Sequence, residues 1–275
     1  MNKTLFLAQF LIFLSFNMMA QTNWYDEVEE DYDTNKFSIG VNLAAYFPNQ
    51  NTAELYVGAP YSTPYGIEYI LNLPAYKPTF DNYFQYPYEV AEYPLLPKYK
   101  TAFELGLHMA YRIQKRMQLF MDFNLTQLDF EQTFTMQIDD PYNGIPGPTY
   151  QLFPIIGEEN RFFINLGLQY EYVKQEFSRA YLSAFAQANN VQLQQNYFVI
   201  DQVEYNIFHY NPNTSSQRPG GNSLGFGFGT GYKFAIHERL WIDLMYQCYY
   251  SEIKLNNRYA ETGLQNSLGM RIIWN

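Results

Sequence analysis

The chain has 275 residues, 19% of them aromatic and only 16% charged, with a formal net charge of −10. An acidic chain lacks the basic face that a nucleic-acid backbone demands, which excludes nucleic acid as a partner. A mean hydropathy of −0.33 is too polar for a bundle of membrane helices but suits a membrane β-barrel, in which every second residue faces inward.

Residues 1–20 carry Lys3, an apolar run over 5–16 and a terminal Ala20. That is the plan of a secretory signal peptide cleaved after Ala20, although Met18 is larger than the usual residue three places before a cut. The run is too short to cross a bilayer comfortably. Residues 21–35, which include "WYDEVEEDYD", are expected to be an acidic periplasmic N-terminal tail. Its six acids read as a solvated tail or as a docking peptide for a basic partner surface.

A strict two-residue alternation then begins. In "KFSIGVNLAAYF", Phe37, Ile39, Val41, Leu43, Ala45 and Phe47 share one face. In "TAFELGLHMAYRI", Phe103 through Ile113 oppose Glu104, Gly106, His108, Ala110 and Arg112. "MQLFMDFNL", "RFFINLGLQYEY", "SLGFGFGTGYKF", "RLWIDLMYQCYYS" and "LQNSLGMRIIWN" repeat the scheme. Each spans about ten residues, the length that a tilted strand needs to cross a bilayer. Strands of a soluble sandwich are usually about five or six residues long. The expected fold is all-β, an eight-stranded antiparallel transmembrane β-barrel over residues 36–275 with two long extracellular loops, about 48–100 and 174–222.

Tight turns at "QKR" and "HER" and long Tyr-, Asn- and Pro-rich segments elsewhere match short periplasmic turns and long external loops. Seven strands are evident, and an even number needs one more. The favoured candidate is 148–157, turning through "EEN" into Arg161; the other is 196–208. Within 174–222, Phe177, Tyr181 and Phe185 are spaced by four and suit a short helix.

In "SLGFGFGTGYKF" a glycine recurs at every second position from Gly225 to Gly231. A phosphate loop would require a helix to follow, and none does. The glycines face inward and leave room for long residues from other strands, such as Trp241, Arg112 or Arg271. The inward set Glu104, Arg112, Asp122, Arg161, Glu171, Lys233, Asp243 and Arg271 is balanced in charge and reads as a paired network closing the pore. A proton or ion pathway is the alternative reading.

No nucleophile motif occurs, and no histidine pair has metal-ligand spacing. His108 is read as a network member beside Glu104, His209 as a loop residue near Asp201 and Glu204, and His237 as part of a turn. Cys248 falls on the lipid face. No catalytic residue, metal site or cofactor is expected.

"MMAQ", the tandem "GFGFGTGYKFAIHERLWIDLMYQ" and the terminal "GMRIIWN" carry a likeness. On these motifs the chain resembles small outer-membrane β-barrel proteins widespread in Bacteroidota, the PorT-like group and, more remotely, OmpA-type barrels. The resemblance implies export to the bacterial outer membrane and contact with its lipid and lipopolysaccharide. It also implies an assembly signal at Trp274. The expected function is a non-enzymatic structural or interaction subunit, an accessory of a type IX secretion, gliding or barrel-assembly complex, with an envelope protein partner bound through the long loops or the acidic tail. A narrow channel, or a barrel that binds a surface glycan or other ligand, is the alternative; an enzyme is the least favoured.

Overall fold

The computed structural model describes residues 36–142, 147–210, 219–255 and 259–274; the expected signal peptide and acidic tail lie outside them. Alternating residues build ten strands: β1 (Phe37–Phe47), β2 (Tyr88–Glu92), β3 (Ala102–Gln114), β4 (Met117–Ile138), β5 (Thr149–Lys174), β6 (Ser178–Ile200), β7 (Val203–Asn206), β8 (Gly220–His237), β9 (Leu240–Lys254) and β10 (Ala260–Trp274). Eight of them form an antiparallel ring in the order β1, β3, β4, β5, β6, β8, β9, β10, which closes where β10 pairs with β1. A closed ring satisfies every ladder group, the condition for strands to cross lipid.

The residues linking β3 to β4, β5 to β6 and β8 to β9 are short and share one end of the ring. That end is periplasmic, by the convention of such barrels. The expected turns at 114–116 and 237–239 are present.

The eighth strand is neither of the two candidates by itself. Residues 149–174 are one strand, so "EEN" is mid-strand, and a register shift on the β6 side at Glu158/Glu159 absorbs the irregularity. The missing strand is β6, within the segment expected as the second external loop. Its suggested helix is a strand because a spacing of four is also two steps of two: Tyr181 and Phe185 both point inward, while Phe177 lies in the turn before it. Residues 196–200 end β6, and Val203–Asn206 folds back on it as β7.

Strands β4, β5 and β6, at 22, 26 and 23 residues, run well beyond the membrane. Along β4 the alternation continues without a break, but the apolar residues change sides. Leu119, Met121, Phe123 and Leu125 point out, and Gln118, Asp122, Asn124 and Thr126 point in. Higher up, Leu128, Phe130, Phe134 and Met136 are buried inside, and Gln127, Asp129, Glu131 and Thr133 face out. Lipid lies outside the lower half and water outside the upper half, so the crossover near Thr126 marks the outer membrane surface.

Above that level the chain folds as an extracellular platform. Residues 48–101 return over the ring with a 3-10 helix (Gln50–Val57), α1 (Ile67–Leu71), α2 (Lys77–Phe84) and β2. Phe80 packs on Tyr205 at 4.7 Å, Phe84 on Phe153 at 5.8 Å and Tyr56 on Phe130 at 5.7 Å between ring centroids. Each such fully buried aromatic contributes about 1.5–3 kcal/mol of burial, so this excursion is a packed layer, held also by a bridge between Tyr99 and Phe130.

Candidate functional site, a closed lumen and its cap

The inward glycines of β8 make the space expected of them, but the occupants differ. A Cβ at Gly227 would lie 2.4 Å from the Phe185 ring, and one at Gly231 would lie 2.5 Å from the Tyr181 hydroxyl. Both occupants come from β6, the neighbouring strand. Trp241 and Arg271 also point inward but fill other parts of the lumen.

The expected charge network resolves into separate clusters. At mid-height the Arg271 guanidinium meets Asp122 at 3.0 Å and Asp243 at 3.3 Å, and its Nε donates to Asn42 at 2.6 Å. His108 Nδ1 lies 2.6 Å from Asp122, so its partner is Asp122 rather than Glu104. The Tyr181 hydroxyl donates to Asp243 at 2.9 Å.

Toward the periplasmic mouth, Glu171 lies 3.8 Å from Lys233 and 3.9 Å from Arg179, and accepts from Gln118 at 3.1 Å. The Arg179 guanidinium sits 4.4 Å from the Trp241 ring. Arg112 is half-buried at this mouth beside Lys36, not in the mid-lumen cluster.

Above the Arg271 cluster the lumen is crossed by rings. Tyr46, Phe163, Phe185 and Tyr249 lie with centroids 5.4–6.3 Å apart and are at most 5% exposed. Glu104 sits here, accepting from Tyr249 at 3.4 Å. Higher still, Arg161 pairs with Glu159 at 2.5 Å and donates to Tyr46, Gln265 and Thr52 at 3.0–3.1 Å. Tyr56 of the 3-10 helix donates to Glu159 at 2.6 Å, which fastens the cap to the wall. A side chain at Gly157 would strike the Tyr56 ring at 2.2 Å.

Glu159, Arg179 and Tyr181 complete these clusters without being evident in the sequence, where "EEN" resembles a turn and 174–222 a loop. One signal was available. Glu159 and Arg161 are two apart, which in a strand puts opposite charges on the same face.

His209 lies in the platform, its Nε2 2.8 Å from Asn196 Nδ2 and its ring 6.3 Å from Tyr56. Burial pushes its pKa down to about 4, so it stays neutral near pH 7. Cys248 is half-buried on the outward face. Among the described residues, no group of three or more His, Cys, Asp or Glu is placed to hold a metal ion.

No family model matches the chain, and no curated protein matches it in sequence. Among solved structures it is similar to Neisserial surface protein A, at 12% identity and a TM-score of 0.45, over 87% of this chain and 97% of that one. It is similar to the attachment invasion locus protein Ail of Yersinia pestis, solved with the heparin analogue sucrose octasulfate, at 13% identity and a TM-score of 0.38, over 86% and 97%. The N-terminal β-barrel domain of Pseudomonas aeruginosa OprF matches at 9% identity and a TM-score of 0.34, over 86% and 97%. The closed strand ring and its outward apolar belt make this chain a small outer-membrane-type β-barrel.

Proposed function

We propose that this chain is a non-enzymatic barrel of the bacterial outer membrane that works as a structural and interaction subunit through its extracellular platform. The observation that carries this reading is the contrast between its two halves. The lumen is filled by paired charges and a layer of aromatic rings, whereas the platform is well packed and presents Tyr61, Tyr142, Tyr150, Leu95, Leu96 and Leu152 to solvent. Exposed aromatic and aliphatic side chains of this kind are the material of protein interfaces.

The partner is an envelope protein. The motif resemblance to Bacteroidota barrels makes an accessory role in a type IX secretion, gliding or barrel-assembly complex the specific form of this proposal. Trp274, outward-facing on the strand that closes the ring, serves as the assembly signal. Outer-membrane lipid and lipopolysaccharide surround the belt.

The test is a mild-detergent pull-down of tagged chain from native membranes, with mass spectrometry. An equimolar envelope protein that is released when Tyr150 and Leu152 are replaced together by Ala supports the reading. Recovery of the chain alone overturns it. Conductance above background in planar bilayers would favour the narrow channel instead.

A further inference from the structure

The platform carries a cleft of about 630 Å³ between α1, α2 and the start of β2. We propose that this cleft binds a saccharide that bears no acidic group. Its volume falls within the range of small-molecule sites, about 300–1,000 Å³, and four observations specify the ligand class.

The first is the chemistry of the lining. Glu68, Asn72, Asp81 and Gln85 bring planar carboxylate and amide groups to the cleft. Paired oxygens, or an oxygen and nitrogen on one carbon, match the spacing of vicinal hydroxyls, which both donate and accept.

The second is that the carboxylates are already held. The Tyr93 hydroxyl donates to Glu68 Oε1 at 3.0 Å. Lys77 Nζ at 3.1 Å and the Tyr88 hydroxyl at 3.0 Å both donate to Asp81 Oδ1. These bonds fix each group and leave Glu68 Oε2 and Asp81 Oδ2 for a ligand. Groups fixed in advance lose less freedom on binding.

The third is the aromatic wall. Tyr88 is braced by Phe84 at 4.6 Å between centroids, and half-buried Tyr86 rests against Tyr142 at 6.4 Å. A sugar ring offers one face of C–H groups that packs on such a surface while its hydroxyls reach the carboxylates. Gln85, at the rim, has φ of 62°, a left-handed conformation uncommon for a residue with a Cβ.

The fourth is charge. The lining holds Glu68, Asp81 and Glu89 against Lys77 alone, and Lys77 is committed to Asp81. Sulfated and uronic-acid sugars are repelled, and neutral or amino sugars are not.

This inference rests on the reading that the platform does the work, yet the two fail separately. Partner release by the Tyr150 and Leu152 replacements concerns a different surface, since neither residue lines the cleft. The test uses the full chain in detergent micelles and saturation-transfer NMR with three probes: chitotriose, its deacetylated glucosamine trimer and a heparin hexasaccharide. Saturable binding of a neutral or amino probe is expected, with Kd on the order of 0.1–1 mM. E68Q and D81N should each weaken it about tenfold while the chain keeps its heat-modifiable gel mobility. T133A, outside the cleft, should leave it unchanged. The proposal is overturned by absence of saturable binding to both non-acidic probes, by E68Q and D81N binding as tightly as the unaltered chain, or by preference for the heparin probe.

Discussion

Arg271 on β10 reaches across the lumen to Asp122 on β4, Nη2 to Oδ2 at 3.0 Å, although the two strands share no ladder. The pair therefore ties opposite walls of the ring together. Removing one member of a buried ion pair typically costs about 3–5 kcal/mol, because the remaining charge is left uncompensated. R271M should lower stability by that amount in urea titrations of vesicle-reconstituted barrel, followed by tryptophan fluorescence. R271K should recover only part of it, since an ammonium lacks the planar fork that holds Asp122, Asp243 and Asn42 together.

The close approach of Gly227 to Phe185 makes a second expectation. G227V should destabilise the barrel by about 1–3 kcal/mol through overpacking. Combined with F185A it should cost less than the two single changes added, because the ring that clashes is gone. Additivity within about 0.5 kcal/mol in the same titration would argue against the contact.

The exchange of faces along β4 predicts a position-dependent response to charge. F123R, on the lipid-facing half, should cost about 2–4 kcal/mol, the penalty for an arginine near the bilayer midplane. T133R, ten residues further along the same outward face, should change stability by no more than about 0.5 kcal/mol. Reconstitution yield and urea midpoints in vesicles distinguish the two. An equal cost at both positions would place the membrane surface elsewhere.

His209 supplies a pH dependence. Its pKa in the folded platform, about 4, lies below the ordinary 6.5, so between these values the unfolded chain binds the extra proton. Stability from this residue is therefore complete above about pH 6.5 and falls as pH drops toward 4. Because His209 as a residue is half-buried rather than fully enclosed, the loss is roughly 1–2 kcal/mol rather than the full value of the shift. Protease resistance of the segment 48–100, measured from pH 7 to pH 4.5, should decline, and H209Q should flatten the decline.

Much of this architecture is legible from residue order. The alternating faces of β1, β3, the lower part of β4, β8, β9 and β10 follow the quoted sequence residue by residue, as do the two short turns. β6 was hidden because its two faces differ little in polarity. Outward Ala184, Ala186 and Ala188 are small, and inward Ser183, Gln187 and Asn189 are polar without charge. Its identity as a strand is decided by pairing with β5 and β8 on either side. In β4 the sequence reading stopped at Leu125 because the apolar residues changed parity, although the strand continues to Ile138.

In the membrane strands other than β6, the sequence by itself determined which side chains face lipid and which face inward, because period two is a local property of extended backbone. It also determined that the inward set carries both signs of charge. Which charges meet was decided by tertiary structure alone. Strand register and tilt place Asp122 against Arg271 and His108, and Glu171 against Lys233 and Arg179. Asp122–Arg271 and Glu171–Lys233 join strands far apart in the chain, and their geometry depends on how the whole sheet staggers as it closes.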